Sequence, residues 1–250
     1  MTERYDEAAA AHYAAYRPPL HREILGRVLP YSAALEVGLD VGSGTGRSAV
    51  ALAERCRRVY GVEPSRAMLQ RAEPCDRVTY LHGAADAIPL PDRAADVVTL
   101  AGVLSYADSG AARAEIQRVG RPGGLVVAYD FEVLVGGWLE RLGAVPSAEV
   151  PEYDHGADLS GAAGFAERSV LRARARLAVT PEDLAHVLLS DSGRLDRLAD
   201  AHRTADPFRP VADALRARGR ALTVDADLYA TVYVLDADET APTLSADLPA

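Results

Sequence analysis

Residues 39–48 read LDVGSGTGRS: an apolar run, an aspartate, three glycines at alternate positions and the start of a helical pattern. This is the layout of a nucleotide-binding turn, where glycines let main chain approach a ligand at the end of a strand. Gly42, Gly44 and Gly46 give G-x-G-x-G. A dinucleotide fingerprint, G-x-G-x-x-G, needs a glycine where Arg47 stands, which counts against an NAD site. Asp40, just before the loop, would repel a pyrophosphate and attract an ammonium or sulfonium group.

Outward from this turn, short apolar runs alternate with helical patterns. Strands are expected over residues 34–42, 58–64, 78–83, 94–102 and 125–131. Helices are expected over 45–57, from Ser65 as cap through 72, and over 110–119. Such βαβ units build a mostly parallel sheet with helices on both faces. The fold class expected is α/β, a doubly wound, Rossmann-like sheet of seven strands with an insertion or lid after strand five. Residues 1–30 read as an N-terminal helical cap, broken by Pro18 and Pro19, with a second helix at 20–29. Residues 31–131 read as the cofactor-binding core and 132–168, rich in glycine and holding the sole tryptophan, Trp138, as the insertion or lid. Residues 169–237 complete the core with a strand at 169–180, helices at 181–191 and 209–218, and a strand at 225–237. Residues 238–250 read as a loose tail.

Composition narrows the function. The chain has 250 residues, which fits one domain with an embedded insertion, and 49% are hydrophobic, too many for a disordered protein. No run of 18 apolar residues exists, and the N-terminus lacks the layout of a signal peptide, so the expected location is cytoplasmic with no membrane partner. A net charge of −9 argues against a nucleic-acid partner. Of the densest basic runs, residues 55–58 are expected to end a helix and 172–176 to form an exposed strand face. Cys56 and Cys75 have no zinc-type neighbourhood; they are expected to be reduced thiols, and no metal site is expected. The sequence contains no lysine and no asparagine, which excludes an internal Schiff base.

Beyond the glycine loop, the segment GAADAIPLPD (83–92) sets an acidic residue among small and apolar ones, as suits an adenine ring and its amino group. With it, the stretches LDVGSGTGRSAVALA, VYGVEPSRAML, GAADAIPLPDRAADVV and EIQRVGRPGGLVVAYDF resemble the class I S-adenosylmethionine-dependent methyltransferases. The nearest branch is the small-molecule one that includes ubiquinone/menaquinone-pathway and trans-aconitate methyltransferases. The resemblance covers residues 10–130. It implies S-adenosyl-L-methionine as cofactor, with Gly42, Ser43 and Gly44 against its methionyl part and ribose. Asp40 would order the loop or the amino group. Glu63 would take the two ribose hydroxyls, with Pro64, Ser65 and Met68 flanking the adenine. Asp86 would accept from the adenine amine beside Ala85, Ala87 and Ile88. Ala101 and Gly102 would line the methionyl tail, and Tyr16 and Arg17 would hold the cofactor carboxylate. Met68 reads equally as helix core and Arg17 as a surface residue; a strand-end carboxylate in solvent is the lesser reading of Glu63.

The acceptor side is less legible. Methyl transfer to carbon or oxygen often needs a base, whereas a free amine needs only to be neutral. Polar candidates lie in LSYAD (104–108), in YDF (129–131) and in EYDHGAD (152–158). The candidate catalytic residues are His155, with Asp154 as its adjacent carboxylate, and Tyr106. A solvated loop histidine and a packing tyrosine are the bland alternatives, and Trp138 reads as core or as a lid aromatic. The motifs of the amino-directed and cytosine-directed DNA methyltransferases are missing. The expected activity is therefore methyl transfer to a small metabolite or natural-product intermediate, by a monomer or homodimer. Two alternatives stay open: a cyclase or lyase that uses the sulfonium as leaving group, and a catalytically silent cofactor-binding partner subunit.

Overall fold

Strand β1 (Val37–Val41) is buried along its whole length, as a central strand covered on both faces must be. It pairs in parallel with β2 (Arg58–Glu63) and β4 (Ala95–Ala101). Further parallel pairings join β2 to β3 (Val78–His82) and β4 to β5 (Gly120–Leu134). With β6 (Phe165–Val179) and β7 (Leu222–Leu235) the strand order is β3-β2-β1-β4-β5-β7-β6. This is the expected seven-stranded, mostly parallel α/β sheet. The bidentate pairs Arg174–Asp227 and Arg176–Asp225 run in opposite senses along β6 and β7, as an antiparallel pair requires. The computed structural model describes residues 7–29, 35–107, 109–144 and 154–236; the tail expected at 238–250 and the stretch 145–153 of the expected insertion lie outside them.

The order places a topological switch between β1 and β4: the chain leaves β1 for β2 and β3, then returns to the other side of β1. A crevice at the carboxyl ends of such strands is where open α/β sheets bind ligands, and the glycine loop stands there.

The chain forms two compact units. One comprises residues 1–20, 131–154 and 172–228, the other 21–130, 155–171 and 229–250. The second holds the core of β1, β2 and β4, built on Leu39, Val41, Val62, Val98 and Leu100, with Ile116 of α6 (Gly110–Val119) packed on them. In the first unit, α1 (Glu7–Ala15), α8 (Pro181–Leu189), α9 (Ser192–His202) and α10 (Phe208–Arg216) share an aliphatic core of Leu184, Leu188, Leu198, Val211 and Leu215.

Several boundaries differ from expectation. Helix α3 covers only Arg47–Leu52, although β2 starts at Arg58 as expected and meets Val37. The basic run 55–58 thus lies in the turn and the first residue of β2, not in a helix's last turn. Helix α4 stops at Leu69, with the Ser65 hydroxyl accepting from Met68 N at its start. Strand β6 begins at Phe165, four residues early, and α7 (Gly136–Arg141) occupies part of the expected insertion. Helix α9 was not expected: only Leu195 and Leu198 bury, so its apolar signal is faint, and Asp191 caps it through Arg194 N. The RARAR face is indeed exposed, and both cysteines are free thiols.

Candidate functional site

The loop at residues 42–46 follows β1 with Gly42, Gly44 and Gly46 all at positive φ, a region that costs other residues about 1–2 kcal/mol. At Gly42 a Cβ would also lie 2.6 Å from Val103 Cγ2, and at Gly46 it would fall onto the Tyr80 hydroxyl. At Gly44 a Cβ would meet nothing within 4 Å, so this point of the loop borders open space.

The loop amides are directed into the protein. Gly42 N and Ser43 N donate to Val62 O at 2.8 and 3.0 Å, and Gly46 N donates to Ser43 O at 2.8 Å. Gly44 N donates to Glu63 Oε2 at 2.9 Å. A phosphate cradle needs such amides aimed at the anion. Here they are spent on a carbonyl, on a carboxylate and within the loop, which is unsuited to a pyrophosphate.

Two carboxylates organise the loop. Glu63 ends β2 and is buried; its other oxygen accepts from Ser65 N at 2.8 Å. Asp40 is completely buried and accepts from Ser48 Oγ at 2.5 Å and Thr99 Oγ1 at 2.7 Å. Burial, reinforced by the nearby Glu63 charge, pushes Asp40 up to about 6 against the pull of the two hydroxyls. Asp40 has no exposed surface, a position that suits ordering the loop. Ser48 and Thr99, which hold it, were not anticipated, because their meeting with Asp40 depends on helix packing and strand pairing. Ser43 Oγ is buried without a hydrogen-bond partner, close to Gly61.

Register brings the other candidates to the same edge. Val41 lies opposite Val62 and Leu100, so Gly42, Glu63 and Ala101 end adjacent strands at one level. Gly102 turns at positive φ with its amide on Tyr129 O at 2.9 Å. After β3, Ala84 and Ala87 form an isolated bridge around Ala85 and Asp86. Asp86 and Ala87 are exposed and Ile88 is buried. Pro64 is exposed and Ser65 half-buried. Met68 is 43% exposed, so it is not helix core. Tyr16 and Arg17 fall in the other unit and are engaged there: Tyr16 packs on the aliphatic core, and the Arg17 guanidinium lies 4.1 Å from the Tyr13 ring centre and 5.5 Å from that of Phe131.

On the acceptor side, His155 Nδ1 lies 2.8 Å from Asp130 Oδ2, and its ring stacks on Tyr229 at 6.2 Å. A carboxylate bonded to this histidine is thus Asp130 of β5, a partner that the reading of His155 with its neighbour Asp154 did not name. Tyr129 pairs with Ala101, which sets Asp130 one residue beyond the strand ends that carry the loop. Tyr106 lies on the short helix α5 (Leu104–Ala107) and is 69% exposed; Asp108 is outside the described residues. Trp138 rests on the first unit's core and donates to Thr223 O at 3.3 Å, as a packing residue does.

Residues 39–128 match the family described as the methyltransferase domain. An uncharacterized methyltransferase of Mycobacterium bovis is 36% identical over 141 residues, 55% of this chain and 57% of that protein. A malonyl-[acyl-carrier protein] O-methyltransferase of Serratia marcescens is 35% identical over 143 residues, 56% of this chain and 51% of that protein. The chain thus spans little more than half the length of these relatives. A solved structure of a candidate type II methyltransferase from Anaeromyxobacter dehalogenans shares the fold, with a TM-score of 0.64 at 24% identity, covering 89% of this chain and 98% of that one. Among the described residues, no helix is long and apolar enough to cross a membrane.

Proposed function

We propose that the protein is an S-adenosyl-L-methionine-dependent methyltransferase acting on a small molecule. The observation that carries this reading is the buried Glu63 carboxylate at the end of β2, held by Gly44 N and Ser65 N, beside a glycine loop whose amides are turned away from any phosphate. A carboxylate so fixed keeps lone pairs for two ribose hydroxyls. The open space at Gly44 leaves room for a ligand against the loop. The cofactor, when bound, supplies an electrophilic methyl on a sulfonium.

The chain's own residues position and exclude. Asp86 would accept from the adenine amine, with Ala85, Ala87, Ile88, Pro64, Ser65 and Met68 around the ring. Gly42, Ser43, Gly44, Ala101 and Gly102 would line the methionyl part. Alignment of acceptor and methyl supplies much of the acceleration in such a displacement. A hydroxyl acceptor would lose its proton to His155, whose ring Asp130 orients through Nδ1; Tyr106 would close over the acceptor.

Calorimetry with S-adenosylhomocysteine and with NADH tests the reading. The expected result is micromolar binding of the first, none of the second, and a tenfold or greater loss of affinity in Glu63→Ala. Binding of NADH alone would falsify the proposal, and methylthioadenosine as product would replace methyl transfer by another use of the sulfonium.

A further inference from the structure

The segment after β3 carries Asp86, yet beyond the Ala84–Ala87 bridge it has no sheet or helix to satisfy its main chain. Buried or half-buried main-chain groups need partners from somewhere. Helix α6 supplies them with two side chains. Glu115 Oε2 accepts from Ile88 N at 2.8 Å. Arg118 donates from Nη2 to Ile88 O at 3.0 Å, and from Nη1 to Leu90 O and Asp92 Oδ1, both at 2.8 Å. The two side chains also bind each other in a fork, at 2.6 and 2.8 Å. The main chain of α6 joins in, since Arg118 O accepts from Arg93 N at 2.8 Å.

From these contacts we infer that Glu115 and Arg118 are positioning residues that set adenine recognition by fixing the loop that carries Asp86. This inference rests on the cofactor reading above. The physical reason is reach and rigidity. Asp86 stands two residues before Ile88, whose amide and carbonyl are both clamped and whose side chain is buried. The exposed carboxylate is thereby tethered to α6 at a fixed distance along the chain. Glu115 is lowered from its ordinary carboxylate range, first by its bond from Arg118, so it stays an acceptor for Ile88 N at neutral pH. A planar five-donor guanidinium can serve two carbonyls and two carboxylates at once; an ammonium cannot do so in the same geometry. On sequence alone, Glu115 and Arg118 look like an ordinary i,i+3 surface pair.

The test titrates wild type, Arg118→Ala, Arg118→Lys, Glu115→Gln and Asp86→Ala with S-adenosylhomocysteine and with its hypoxanthine analogue, which lacks the amine. Melting curves identify any variant that fails to fold, and the two conservative substitutions keep the test open in that case. Wild type is expected to prefer adenine by tenfold or more. Asp86→Ala should abolish that preference. Arg118→Ala and Glu115→Gln should reduce it to within about threefold while leaving hypoxanthine affinity unchanged, with Arg118→Lys between them. If Asp86→Ala changes nothing, the adenine reading of the loop is wrong and the inference falls with it. If Asp86→Ala loses the preference but the α6 variants keep it, or lose affinity for both ligands equally, the reading stands and the clamp is merely structural.

Discussion

The two units bury different things. In the second, polar side chains gather below the glycine loop: Asp40, Ser43, Ser48, Glu63 and Thr99 are all buried. In the first, among the described residues, the one buried polar side chain is Ser190, whose hydroxyl caps back onto Val187 O at 2.8 Å; the buried residues of its core cluster are aliphatic. A buried carboxylate is tolerated only where hydrogen bonds compensate its desolvation. Under the proposed function, the unit with polar burial is the one expected to meet a ligand's polar groups, and the unit with aliphatic burial the one expected chiefly to pack.

The contrast can be broken most forcefully in the aliphatic core. Leu188→Ala is expected to cost about 3–4 kcal/mol of stability, read by denaturant unfolding, while S-adenosylhomocysteine affinity well below the midpoint stays within about twofold. A large affinity loss would show that the first unit does more than pack. Next comes Gly46→Ala, where left-handed backbone and overlap with Tyr80 combine to about 2–3 kcal/mol. In this case affinity should fall at least tenfold, because the loop itself is displaced.

Titration separates the units by sign. Asp40 is raised in the folded state to about 6 from 3.8. Its contribution is fully present below 3.8 and is lost as pH rises through 6. Asp40→Asn should flatten that dependence and raise stability at pH 8 by about 1–2 kcal/mol. The first unit holds His12 and His186, with Nδ1 atoms 2.9 Å apart and both rings against Phe208. Each is lowered, His12 by burial and then by the His186 charge, His186 by burial; Asp206 and Asp183 oppose this only in part. Their contribution is present above 6.5 and lost as pH falls below it, the opposite direction. Unfolding followed by Trp138 fluorescence between pH 8 and 5 should show an acid-side loss that His186→Gln reduces. The smallest expected effect is at the β6 surface. Arg176→Ala removes an exposed pair with Asp225 and should move the melting temperature by no more than about 1–2 °C.

Legibility followed locality along the chain, not the division into units. The loop, Glu63 and the Asp86 segment stood out because the backbone there demands particular residues: glycine at positive φ, a carboxylate at a strand end, a cap at Ser65. The carboxylate that holds His155 did not, because Asp130 is 25 residues away in the chain and is brought over by the strand ends. Helix α9 was missed because two buried leucines in a polar stretch leave almost no periodic signal.

The sequence by itself determined the alternation of strands and helices, and with it the parallel sheet and the crevice beside β1, since periodicity and turn chemistry are local properties. Through Arg47 and Asp40 it also weighed against a pyrophosphate cradle in the loop. Tertiary structure decided which groups meet: Ser48 and Thr99 on Asp40, Asp130 on His155, Glu115 and Arg118 on the Asp86 loop. Those contacts depend on strand register and helix packing, which arise from the summed burial of the whole chain and are written in no single stretch of it.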